Sequence, residues 1–149
     1  MHTSANEFLT LSLSTTTFIP KFVNMAFACE LYLKIILQKN NKHGKPIKEY
    51  THDLQRLYNK AVAYFDEDEF LRIFAQKRLD CFYILPTDTK PKLNYNATST
   101  KFDLKKLLKR HRNLFKELRY NFKRDNLSIN GDLRAFALAL EDYVGGTVK

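Results

Sequence analysis

Apolar residues recur along this chain at spacings of three and four, the period of helices packed against a core. Residues 4–18 read as a first amphipathic helix with Phe8, Leu9, Leu11 and Leu13 on its apolar side. Hydroxyls at Ser14, Thr15, Thr16 and Thr17 offer caps, and Pro20 suits the first turn of a second helix over 20–38. From Phe22 to Leu37 apolar residues cover nearly every side, so this helix is predicted to be central. A Gly-Lys-Pro break ends at Pro46, and Thr51 or Asp53 caps a third helix with Leu54, Leu57, Tyr58, Ala61 and Val62 inward. Acidic residues 66–69 open a fourth helix carrying Phe70, Ile73, Phe74 and Leu79 and reaching about Leu85. The polar stretch at about 86–101 is expected to be a loop or insertion. Asp103 then opens a long helix to about Arg124, and Asn130-Gly-Asp132 caps a last one with Leu133, Phe136, Ala137 and Leu140 inward.

The expectation is an all-α bundle of about five to six helices in a single domain, 1–149. Composition agrees: 44% hydrophobic against 28% charged is a globular balance, and only four Gly and four Pro speak against a turn-dense β architecture. Cys29 and Cys81 both sit in apolar runs, where free cysteine behaves as a small buried hydrophobe, and a reducing cytoplasm is the expected setting. Glu7 and neighbouring Ser and Thr interrupt any secretory apolar stretch, while Glu30 and Lys34 argue against a membrane span.

Charge adds a location for function. Residues 101–124 hold ten Lys/Arg and two acids, a local balance of +8 against +9 for the whole chain. On one continuous helix, Leu104, Leu107, Leu108, Leu114, Phe115, Leu118 and Phe122 form an apolar stripe. Lys105, Lys109, Arg112, Lys116 and Lys123 line up beside it, with Arg119 where the stripes meet. Such a row can follow a phosphate backbone, and these five are the candidate RNA-binding residues; the competing reading is an ordinary solvated face. His111 projects from the apolar stripe and reads as a satisfied core histidine.

Glu30 and Lys34 stand one helical turn apart in apolar company, the acid leading. Each needs a partner or a route to water, so they either pair structurally or line a polar cleft. His52-Asp53 stands at a helix start, where Asp53 can cap exposed N–H groups and His52 can orient against a carboxylate such as Glu30.

Three segments in order, residues 24–34 with their Glu/Lys pair, Thr51-His-Asp-Leu-Gln-Arg-Leu-Tyr58, and Phe115-Lys-Glu-Leu-Arg-Tyr120, resemble HEPN-like domains. The resemblance spans about 20–125. It implies an up-and-down helical bundle, often dimeric, of the kind found in toxin–antitoxin and phage-defence systems, many acting as metal-independent RNases and others as RNA-binding or partner-binding modules. The family's nuclease signature, an arginine followed by histidine four to six residues later, is absent: Arg119 is followed there by Arg124, Asp125 and Asn126. By the resemblance, Arg119 and His52 are the candidate catalytic residues, with Glu30, Lys34, Asp53, Tyr120 and Asn121 in a polar cluster.

The chain therefore reads first as an RNA-associated HEPN-like module, expected to be a cytoplasmic homodimer without a membrane segment. The alternatives are a module whose basic face meets an acidic protein such as an antitoxin, and an RNase with a variant Arg/His site. No HExxH or paired-Cys spacing and no Gly-rich phosphate loop occurs, so neither metal nor cofactor is expected.

Overall fold

The computed structural model describes residues 2–14, 18–40, 52–82, 92–112 and 130–147. Six α-helices account for most of them: α1 (His2–Ser14), α2 (Phe18–Lys39), α3 (Leu54–Ala61), α4 (Glu67–Phe82), α5 (Ala97–Arg110) and α6 (Asn130–Thr147). A short 3₁₀ turn, Val62–Tyr64, follows α3, and no strand occurs among the described residues. None of these helices is long and apolar enough to cross a membrane.

The all-round apolar character of α2 has the predicted consequence. It packs against α1, α3 and α6, and Met25, Cys29, Tyr32, Leu33 and Ile36 are among its buried residues. α6 lies between α2 and α4, α4 touches α5, and α5 touches α3, which returns to α2. Five helices thus close a ring around one core, with α1 applied to α2 from outside.

The first helix keeps part of the expected face, with Leu9 buried and Phe8 packed against the core. Its buried stripe is Ala5, Leu9 and Ser12, spaced one turn apart, while Leu11 and Leu13 are exposed. Small residues let α1 approach α2 closely, Ser12 satisfies its hydroxyl on the Leu9 carbonyl, and Phe8 stacks on Phe27 at 5.3 Å.

Two side chains start the neighbouring elements. Asp53 caps α3, its Oδ1 accepting the Arg56 N–H at 3.1 Å. Asp66 does the same for α4 through the Glu69 N–H, and its own N–H donates to the Tyr143 hydroxyl of α6. Arg78 of α4 then bridges to Asp103 of α5 and Asp132 of α6 at 2.8 and 3.1 Å.

The expected 103–124 helix is corrected at both ends. Asn96 accepts the Ser99 N–H, so α5 begins at Ala97, within the expected loop, of whose described part only residues 92–96 are non-helical. It ends at Arg110, and His111 and Arg112 form a turn. Asn130-Gly-Asp132 likewise lies within the first turn of α6 rather than ahead of it.

Candidate functional site

The most densely charged buried place lies where the middle of α2, the start of α3 and the end of α5 meet. Glu30 and Lys34 are 4% and 5% exposed, and the Lys34 ammonium donates to Glu30 Oε1 at 2.5 Å. Two ions can persist in such surroundings because each removes the other's desolvation problem. The same Glu30 oxygen lies 2.8 Å from Nδ1 of His52, whose side chain is 68% exposed. A carboxylate oxygen only accepts, so Nδ1 carries the proton and Nε2 of a neutral ring is the acceptor. A buried carboxylate therefore holds a largely exposed imidazole by one nitrogen. Such a contact fixes the orientation of the ring.

Asp53, the next residue, turns its second carboxylate oxygen to Nε of Arg112 at 2.5 Å. Burial opposes its charge, but the hydrogen bond from Arg112, the backbone N–H groups of Arg56 and Gln55, and the arginine's own charge outweigh it. Together they hold the carboxyl below the ordinary aspartate range. Glu30 thus anchors the His52 imidazole, and Asp53, the residue after His52, anchors a guanidinium. The Arg112 side chain remains about half exposed.

His111 immediately precedes Arg112 in the chain. It caps the end of α5 and is 2% exposed. Burial, reinforced by the charge of Arg110, pushes its pKa down to about 4, so it is neutral at physiological pH. The expectation of a satisfied core histidine needs correction. The ring is in the core, but Nε2 has no hydrogen-bond partner among the described residues.

Of the predicted cluster, Glu30, Lys34, His52 and Asp53 come together. Arg119, Tyr120 and Asn121 lie outside the described residues, as do Lys116 and Lys123. Lys105 and Lys109 are exposed on α5. Arg112 does not continue their row: α5 ends two residues before it, and its side chain pairs with Asp53 instead. Its place in the cluster was missed because the apolar and basic periods run on past Arg110 without a Gly or Pro. No group of three or more His, Cys, Asp or Glu among the described residues is placed to hold a metal ion.

Fold and site together define an all-α helical bundle in which a buried acid–base pair supports a surface His/Arg cluster. No family model, curated protein or solved structure matches the chain.

Proposed function

We propose that this chain is an RNA-associated module of HEPN-like type, working as a homodimer in a defence or toxin–antitoxin system. The resemblance of residues 24–34 and 51–58 motivates the family, and the exposed side of α5 is the observation that carries RNA binding. Lys105, Lys106 and Lys109 project from it, all three exposed and none in an ion pair among the described residues. Nearby acids are already engaged: Glu67 by Lys101, Asp68 by Arg72, and Asp103 by Arg78. An unneutralised row of ammonium groups releases counterions when it meets phosphates, which makes binding steeply salt-dependent.

A second reading, cleavage of the bound RNA, is favoured by the His52–Glu30 contact. In that reaction the His52 ring accepts the ribose 2′-hydroxyl proton, the 2′ oxygen attacks the adjacent phosphorus to form a 2′,3′-cyclic phosphate, and the 5′ oxygen leaves as a hydroxyl with a proton from water. An arginine at the same place, Arg112 by its position beside Asp53, stabilises the charge on the phosphate oxygens.

Purified protein titrated with labelled RNA over a range of salt tests both readings. Expected is an affinity that falls log-linearly with salt; an affinity indifferent to salt removes backbone binding and favours an acidic protein partner. Cleavage of the same RNA is compared among wild type, His52→Ala, Arg112→Ala and Arg119→Ala. Loss with His52→Ala supports the nuclease reading, and cleavage unchanged in all three variants removes these residues from any mechanism.

A further inference from the structure

The outer face of α5 carries something that a purely electrostatic surface does not need. Thr100, Leu104, Leu107 and Leu108 point inward. The opposite face presents Phe102, Lys105, Lys106 and Lys109, at i, i+3, i+4 and i+7, so all four lie within about one third of the circumference. Phe102 is 58% exposed, the most exposed large apolar side chain among the described residues. The Lys106 ammonium sits 4.8 Å from its ring centroid.

Beside the ring lies a cleft of about 440 Å³ between the first turns of α4 and α5, within the size range of small-ligand clefts. Leu71, Ala97 and Thr98 line it together with Phe102, while Lys105 supplies positive charge that no carboxylate among the described residues pairs. Its two acids do not make it repel an anion. Glu67 is bound by Lys101 at 2.8 Å, and Asp68 accepts from Arg72 and the Tyr95 hydroxyl at 3.1 and 3.0 Å.

We infer that this face binds single-stranded RNA, with one unpaired base stacked on Phe102 at the mouth of the cleft and the flanking phosphates on Lys105, Lys106 and Lys109. The inference rests on the RNA-binding reading above and narrows its ligand. Stacking takes any base but needs an uncovered π-face, which the interior of a duplex does not offer. An acidic peptide would meet the lysines yet would gain nothing specific from a flat aromatic surface.

The test uses a short fluorescein-labelled oligoadenylate, the same strand annealed to its complement, and a polyglutamate peptide, all titrated by anisotropy at several salt concentrations. Wild type is expected to prefer the single strand. Phe102→Ala should weaken single-strand binding by about 5- to 100-fold, leave duplex binding unchanged and preserve the salt slope. Phe102→Tyr should restore the preference. Lys105→Ala and Lys109→Ala should each reduce the slope by about 0.7 while keeping that preference. Because the ring is exposed, the thermal midpoint of Phe102→Ala should match wild type, which separates loss of binding from loss of fold.

Salt-dependent binding that ignores Phe102→Ala, with strand and duplex bound alike, overturns the stacking site and leaves the backbone reading standing. No salt-dependent RNA binding by wild type overturns both. Polyglutamate bound as tightly as the oligonucleotide, and equally indifferent to Phe102→Ala, overturns the inference in favour of an acidic protein partner.

Discussion

Glu30 is buried, and one of its oxygens serves both the buried Lys34 and the largely exposed His52. Its removal affects the two unequally. The His52 ring can turn to water, whereas the Lys34 ammonium remains buried without its counter-ion. Glu30→Leu is therefore expected to cost about 3–5 kcal/mol in urea denaturation, and Glu30→Leu combined with Lys34→Leu to recover most of that loss. A double variant as unstable as the single one would show that the ammonium is not the source of the cost. The Glu30/Lys34 pairing was legible, because i and i+4 on one helix meet whatever surrounds them. That His52 completes the group was anticipated from its neighbourhood to a helix start. That Arg112 belongs beside Asp53 was not, since those residues meet only across the tertiary fold.

At the scale of elements, α5 shows what periodicity conveys and what it omits. The inward positions Leu104, Leu107 and Leu108 were readable from their spacing. Both ends were misplaced. The start depends on a local hydrogen bond accepted by one asparagine among several polar residues, and the end on a turn that leaves His111 buried. Burial of that histidine has a measurable consequence at this scale. Its pKa is near 6.5 when unfolded and about 4 when folded, so between these values the unfolded chain binds more protons. Stability should therefore fall as pH drops from about 6.5 towards 4, by about 3 kcal/mol in all. Asp53 contributes in a separate window. Its folded carboxyl is held below the aspartate value of 3.8, so its contribution is lost only in more acidic solution. Urea midpoints measured from pH 7 to pH 4 should decline for wild type and stay nearly level for His111→Leu; parallel declines would assign the loss to other groups.

For the whole molecule, closure of the helical ring passes through aromatic contacts. Phe136 of α6 lies 6.2 Å from the Tyr58 ring of α3, 6.0 Å from Phe70 and 6.2 Å from Phe74 of α4, the last two edge-on. It is fully buried, so Phe136→Ala opens a cavity shared by three elements. A loss of about 3–5 kcal/mol is expected in urea denaturation, and a loss below 1 kcal/mol would mean that the ring is not closed at this point.

The all-helical class, the centrality of α2, the inward faces of α3 and α6 and the Asp53 cap all follow from residues within a turn or two of one another. Those interactions are local and repeat with the helix, so the linear order of side chains is enough to specify them. The buried stripe of α1, the turn after Arg110, the Asp53–Arg112 pair and the cleft beside Phe102 depend on which helix lies against which. A phenylalanine at position 102 carries no local sign that it will stay exposed, because its burial depends on whether a neighbour covers it. The basic region read as one row along a single helix is therefore divided by the fold. Lys105 and Lys109 stay together on α5, while Arg112, after the turn at His111, donates its Nε–H to Asp53.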